Sequence, residues 1–433
     1  LVDQNLAFFF GRVQYKLMVR YMLTASLRAD GSSVFAPGKK WGYFPSVALA
    51  WRINEENFLK NVDAISNLKL RLSWGQSGQC AIGPYQTVGL LGNSTYSFNI
   101  EGAYGFYPKT MSNKELTWET TTQYNLGLDF GFFNNRISGS IDIYKAETRD
   151  ILMNRVIPSI NGYASVMENI GKTESTGVDL TLSTVNIQNK NFSWFSDFSL
   201  SHNREKIKEL ASGQLKDEAN AWFVGEPFKV FYDYKKEGIW QLGEEAAAAA
   251  NGQEPGDIKV QDVDGNGVIT TDDRIIYSQR PDVTFGFNNT FNYKGFDLSV
   301  FLYARLGQWI AYDYNTTYRI NALENGGNVD YWTPENPTNA FPRPNKSKSY
   351  TQVTYYSTLK YEDGSFFKIR DITLGYTFKP ELLKHLNLSR LRVYATAKNF
   401  FTFSKIDNYD PEQGGSISFP MTKQLVFGLN VEF

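Results

Sequence analysis

Apolar and polar residues alternate with period two through much of the chain, which sends successive side chains to opposite faces of a sheet. The last segment shows it most clearly: Leu425, Phe427, Leu429, Val431 and Phe433 are interleaved with Gln424, Val426, Gly428, Asn430 and Glu432. Tyr124, Leu126, Leu128, Phe130 and Phe132 alternate with Asn125, Gly127, Asp129 and Gly131, and Leu68, Leu70, Leu72 and Trp74 with Lys69, Arg71 and Ser73. Similar segments lie near 4–15, 20–29, 45–53, 136–147, 174–186, 192–203, 283–293, 296–306, 365–378 and 390–402. The pattern predicts about thirteen strands.

The connections fall into two classes that take turns along the chain. Asn134-Asn135, Asn189-Lys190-Asn191 and Lys294-Gly295 are short hairpin links, and 54–67 and 379–389 read as turns carrying a little helix. The others are long, near 30–43, 75–118, 147–172, 204–282, 306–364 and 403–422. Short and long links in strict alternation are the signature of a transmembrane antiparallel β-barrel, with tight turns on one side of the membrane and large loops on the other. A β-sandwich or propeller has no reason to sort loop length by parity. Phe132, Phe133, Phe192, Trp194, Tyr293, Phe296 and Phe433 stand beside the short turns. Trp74, Trp118, Phe285, Tyr303 and Phe400 stand at the opposite strand ends, so two aromatic belts are expected at the two membrane interfaces. With both termini on the short-turn side, an even strand number requires an odd number of strands before Leu1.

Composition sharpens this reading. The 433 residues include 26 Tyr, 32 Phe and 9 Trp beside 35 Gly, and the mean hydropathy is still negative at -0.38. Aromatic yet polar on average suits a wall in which only alternate positions face lipid. No apolar run approaches the roughly 18 residues of a membrane helix. A net charge of -1 gives no electrostatic case for a nucleic-acid or anionic-membrane partner. Cys80, alone, forms no internal disulfide, and His202 and His385 are too few for most histidine-based metal sites or triads. A targeting segment is expected upstream of Leu1.

One motif carries recognisable chemistry. Residues 262–273 fit an EF-hand-like loop, in which alternate oxygens converge on one hard cation. Asp262, Asp264 and Asn266 supply side-chain oxygens, Gly267 the sharp turn and Val268 its carbonyl. Thr270 contributes directly or through water, and Asp273 stands at the twelfth position. A glutamate normally fills that last place, so the shorter Asp273 leaves both affinity and selectivity between Ca2+ and Mg2+ open. The ion's expected role is structural, stiffening the 204–282 loop; the competing reading is a solvated Asp/Asn/Gly turn. Loop aromatics (Tyr85, Tyr96, Tyr104, Tyr107, Trp222, Trp240, Trp309, Tyr312 and Tyr314) suit stacking on sugars or gripping peptide side chains, and equally suit packing of the loops themselves. Glu244-Glu245 before five alanines reads as a short solvated helix. Gly75-Gln76-Ser77-Gly78 is not a nucleophile elbow, and no phosphate-binding glycine loop or zinc ligand set occurs.

Several segments, taken in order, resemble the SusC/RagA-type TonB-dependent transporters of Bacteroidota outer membranes. They are Leu23-Thr24-Ala25-Ser26-Leu27-Arg28-Ala29-Asp30-Gly31-Ser32-Ser33, Trp41-Gly42-Tyr43-Phe44-Pro45-Ser46 with Trp51-Arg52-Ile53, and Leu116-Thr117-Trp118-Glu119. Asn169-Ile170-Gly171 with Gly177-Val178-Asp179-Leu180 follows, then Tyr331-Trp332-Thr333-Pro334-Glu335-Asn336-Pro337. Lys368-Ile369-Arg370-Asp371-Ile372-Thr373-Leu374-Gly375-Tyr376, Ala397-Lys398-Asn399-Phe400-Phe401-Thr402 and Tyr409-Asp410-Pro411-Glu412 complete the set. The resemblance implies that residues 1–433 are the C-terminal part of a 22-stranded barrel. The plug and the TonB-contacting segment would then precede Leu1. It implies import of oligosaccharides or peptides across the outer membrane of a Gram-negative, Bacteroidota-like cell, together with a SusD-like surface lipoprotein and powered through TonB. Outer-membrane lipid would surround the barrel, no enzyme activity is expected, and dimerisation of such transporter–lipoprotein pairs stays open. Loops 75–118, 204–282 and 306–364 are the expected binding region; no individual substrate contact is assigned. The rival reading is an adhesin or glycan-binding barrel without active transport.

Overall fold

The computed structural model describes residues 3–163, 165–321, 323–383 and 387–433. Thirteen strands make one sheet in which spatial order is chain order. They are β1 (Leu6–Leu17), β2 (Tyr21–Ser32), β3 (Trp41–Arg52), β4 (Ile65–Gln79), β5 (Glu119–Phe132), β6 (Ile137–Val156) and β7 (Ser165–Gln188). β8 (Phe192–Glu209), β9 (Val283–Tyr293), β10 (Phe296–Leu306), β11 (Phe366–Thr377), β12 (Arg390–Ser404) and β13 (Gln424–Glu432) follow. The chain divides into two compact units, Leu1–Thr184 with Ser201–Phe228, and Val185–Leu200 with Lys229–Phe433.

Within the first unit the register aligns one apolar face: Leu49 opposes Leu72, Leu72 opposes Leu126, Leu126 opposes Ile143, and Ile143 opposes Val178. The other face is polar. Arg71 donates to Asp129 at 2.8 Å and to Asp142 at 2.9 Å, crossing above Gly127, where a Cβ would lie 2.6 Å from its guanidinium carbon. The second unit repeats the device. Arg392 reaches Asp297 at 2.5 Å across Gly375, whose added Cβ would meet both partners. Glycine in the middle strand is what lets an ion pair span three strands. The apolar face here is aromatic: Trp194 stacks on Phe291 at 5.5 Å, and Phe198 meets Phe285 and Phe287.

Turn chemistry explains most short links. Asn134 and Asn135 take φ of 56° and 60°, and Lys294 and Gly295 of 47° and 94°, the left-handed pair that matches the twist of two-residue hairpins. The Asn189 side chain accepts from the backbone N–H groups of Asn191 and Phe192. Met18 and Val19 also take positive φ, 52° and 61°, an unusual state for a β-branched residue that no residue type announces. The 54–67 link opens with a 3-10 turn at Ile53–Glu55, and Pro380–Leu383 forms one helical turn. His385, expected in that last link, lies outside the described residues.

Two expectations need correction. The connection near 147–172 is mostly strand: β6 continues to Val156 and β7 begins at Ser165. A register shift between Thr148 and Ile151 breaks the alternation there, so the period-two pattern stops although pairing goes on. Trp118 and Tyr303 do not belong to a lipid-facing aromatic belt. Trp118 is buried between Phe35 and Phe44 and donates its indole N–H to the Lys40 carbonyl. Tyr303 opposes Lys368 on the polar face, packs on Phe366 and accepts from Arg305.

Candidate functional site

The long-loop side carries the candidate site, and its architecture rests on the motifs that stand apart in the sequence. In the first unit, Asn169 accepts from the Thr117 N–H at 3.0 Å and donates to the carbonyls of Thr117 and Asp150. Glu119 accepts from the Leu152 N–H at 2.9 Å. Leu116, wholly buried, joins Trp118, Val34, Phe35, Phe44 and Ile82 in one core. The Leu116–Glu119 and Asn169–Gly171 motifs are thus two halves of one joint, fixing where the 75–118 loop returns to the sheet. In the second unit, Lys368 has no exposed side-chain surface and pairs with Asp410 at 2.6 Å and Glu412 at 2.7 Å. Arg370 adds a contact to Glu412 at 3.1 Å. The Lys368–Asp371 and Tyr409–Glu412 motifs meet there, latching the 405–423 segment to β11.

The 229–364 loops have a core of their own. Two short pairs, Val230–Tyr234 with Arg274–Ser278 and Lys236–Ile239 with Ile258–Val260, flank the helix Glu245–Ala250. Ile239, Ile258, Val260, Trp332, Tyr356 and Leu359 are buried together. The Trp332 indole donates to Gln241 at 2.8 Å, and Trp240 donates to Gln253 at 2.9 Å. The helix is not wholly solvated: Ala248 is fully buried, and Glu244 pairs with Lys259.

The 262–273 loop closes between these pairs as its residue types require. Asp262 accepts from the N–H groups of Gly265 and Gly267, both in the left-handed region at φ 73° and 83°. Asp264 accepts from Asn266, and Asn266 from the Val268 N–H. Asp273 is fully buried, accepts from Val263 and Thr270, and makes a reciprocal cap with Thr270. The Thr270 N–H holds its carboxyl below the ordinary 3.8 against the opposing effect of burial. One oxygen from each of Asp262, Asp264 and Asp273 lies within 4.8 Å of the others. The structure therefore brings three of the six expected ligands together, and it uses Asn266, Val268 and Thr270 to hold the loop's turns.

Loop aromatics divide into two groups. Trp240 and Tyr312 are buried; Trp222 packs on Phe228, Trp309 on Tyr277, and Tyr314 on Tyr409. These are packing groups. Tyr85, Tyr96, Tyr104 and Tyr107 are exposed. The last three ride on a hairpin within the 75–118 loop, Leu91–Phe98 paired with Glu101–Pro108, that sequence alternation did not single out.

A family model described as TonB dependent receptor-like, beta-barrel, matches residues 2–400. The chain belongs to the TonB-dependent receptor-like β-barrel family. Barrels of this family lie in the outer membrane. The chain is 34% identical over 461 residues to TonB-dependent receptor P26 of Formosa agariphila, a match covering 99% of this chain and 46% of that protein. It is 34% identical over 459 residues to TonB-dependent receptor SusC of Bacteroides thetaiotaomicron, covering 99% and 44%. A solved structure of the RagAB peptide transporter superposes on 99% of this chain, covering 48% of its own, with a TM-score of 0.82 and 27% identity. The chain spans about half the length of the relatives it matches. The SusC/RagA resemblance read from the scattered motifs is therefore upheld, as is the thirteen-stranded barrel wall.

Proposed function

We propose that this chain is part of the barrel of an outer-membrane importer, not an enzyme, that takes up oligosaccharides or peptides with a SusD-like lipoprotein under TonB power. The observation that carries the reading is the likeness to SusC and to the RagAB peptide transporter across 99% of the chain. The motif joints support it, since they make the long loops into shaped, anchored bodies on which a cargo and a lid protein can bear. The exposed hairpin Leu91–Phe98 and Glu101–Pro108 presents Tyr96 and Phe98 on one face and Tyr104 and Phe106 on the other. It is the part of the 75–118 loop offered to either. Mass spectrometry of the full-length protein gently extracted from its native outer membrane should find a stoichiometric SusD-like lipoprotein. A barrel recovered alone from every mild detergent would overturn the lidded importer.

In the same reading, Asp262, Asp264, Asn266, the Val268 carbonyl, Thr270 and Asp273 hold one Ca2+, with Mg2+ as the competing ion. The fit rests on three converging carboxylates, one fully buried; each carboxylate has lone pairs beyond those its N–H donors use. The ion would be structural, cross-linking the chain between Ile258–Val260 and Arg274–Ser278. Calorimetric titration of chelator-treated protein should show calcium uptake that Asp262→Ala abolishes, and chelation should expose the 262–273 loop to protease. No heat with either ion sinks the assignment.

The depressed carboxyl of Asp273 adds a pH signature. Its folded value lies below 3.8, so the stability it contributes is complete above that pH and is lost as pH falls through the folded value. Loop protection measured by hydrogen exchange should hold to about pH 4 and fall below it. Loss already near pH 6 would point to another group.

A further inference from the structure

The apolar face of the first unit changes character abruptly along four adjacent strands, β4 to β7. The row Leu72, Leu126, Ile143 and Val178 is aliphatic; two residues further toward the long loops, the row is Trp74, Tyr124, Lys145 and Thr176. The next row holds Gln76, Thr122, Glu147 and Glu174. Each step of two residues rises about 7 Å. Hydrocarbon-like side chains, interfacial aromatics and charges therefore follow one another within the depth over which a leaflet passes from acyl chain to headgroup.

The charges on this face are unbalanced. Lys145, Arg149 and Lys172 on β6 and β7 are joined by Arg204, Lys206 and Lys208 on β8, which alternate with Asn203 and Glu205 of the opposite face. Asn203 marks that opposite face by bonding Ser175. Among the described residues, Glu174 and Glu147 pair with these cations, and Asp150 and Glu209 line one groove with Arg149 and Lys172. Glu174, nearly buried, takes Lys145 at 2.9 Å, Lys206 at 3.1 Å and Lys208 at 4.0 Å. Glu147 pairs with Arg149, and with Lys172 at 3.4 Å. Arg204 is exposed. On β2 and β3 the corresponding positions Leu27, Ala29, Tyr43 and Pro45 carry no charge, so the cations do not continue onto those two strands. Below them an open groove of about 420 Å³ is lined by Leu72, Leu126, Ile143 and Val178 with Tyr124 and Tyr144 beside them, and by Lys145, His202 and Arg204.

We propose that this face binds a phosphorylated lipid of the outer leaflet, the lipid A anchor of lipopolysaccharide, with acyl chain against the aliphatic groove and phosphate against the cluster. Charge complementarity carries the assignment. A local surplus of positive charge directly above a lipid-facing apolar patch calls for an amphiphile with an anionic head, and a lipid supplies both halves at the spacing observed. Glu147 and Glu174 hold the cations in array, much as counter-ions preorganise a binding surface.

The test is native mass spectrometry of delipidated full-length protein titrated with lipid A, with lipid A stripped of its phosphates, and with the acyl-free phosphorylated disaccharide. Intact lipid A should bind best. Removing the phosphates, or substituting Arg204→Gln with Lys208→Gln, should weaken it roughly tenfold or more, and 0.5 M salt should do the same in part. That double variant leaves the close Lys145 and Lys206 contacts to Glu174 in place. If it fails to assemble, the phosphate comparison on the unaltered protein decides. Equal binding of dephosphorylated lipid overturns the phosphate assignment; equal binding of the acyl-free disaccharide overturns the lipid.

Discussion

Replacing Lys368 with methionine should destabilise the second unit by about 3–5 kcal/mol, because it removes the cation from between two nearly buried carboxylates. Arg370 still reaches Glu412, while Asp410 is left, among the described residues, with the Thr402 hydroxyl and the Glu412 N–H as donors. The latch between β11 and the 405–423 segment should open. Hydrogen exchange should then rise throughout 405–423, and also at 309–317, because Ile310, Tyr312 and Tyr314 pack against Ile406 and Tyr409. Unchanged protection in both segments, with an unchanged melting temperature in detergent, would show that the ion cluster holds nothing together.

The second large effect is expected from Trp332→Ala. The indole is 4% exposed and packs in a core with Ile239, Ile258, Val260, Tyr356 and Leu359. Its N–H donates to Gln241, and it sits so close to Gly256 that a Cβ there would lie 2.6 Å from the ring. Truncating such a side chain costs about 3–5 kcal/mol in lost burial and residual cavity. The loss should be local. Scanning calorimetry should show the loop body melting ahead of the sheet, with exchange rising at 236–260 and 330–360 while β9–β12 stay protected. A single transition shifted as a whole would mean that the loop core and the sheet unfold together.

The wall was legible because its rule is local. A side chain's face follows from its position in a strand, so Leu425 to Phe433 or Tyr124 to Phe132 declare a half-apolar strand with no knowledge of their neighbours. Turn residues such as Asn134-Asn135 and Lys294-Gly295 are legible for the same reason, since their φ preferences belong to the residue. The 262–273 loop was readable because all its oxygens come from twelve consecutive residues. Where the local rule fails, so does the reading: the shift after Thr148 inverts the alternation and hides the rest of β6, and Met18-Val19 turns without a turn residue.

Other features depend on which strand lies next to which. Lys368 and Asp410 are 42 positions apart, and Leu116 and Asn169 are 53; nothing in either partner names the other, so motif pairs that read as separate landmarks became joints only once the strands were aligned. The same holds for Trp118, an interfacial aromatic by position but a buried one by its contacts with Phe35 and Phe44. It holds too for the cations of β6–β8, scattered from Lys145 to Lys208 and made a cluster by register alone. Sequence by itself determined the alternating strands, the short turns and the order of loops, because those follow from each residue's own geometry and its nearest neighbours. Tertiary structure decided the joints, the loop core and the charged face, because burial and ion pairing are set by residues that the chain brings together from far apart.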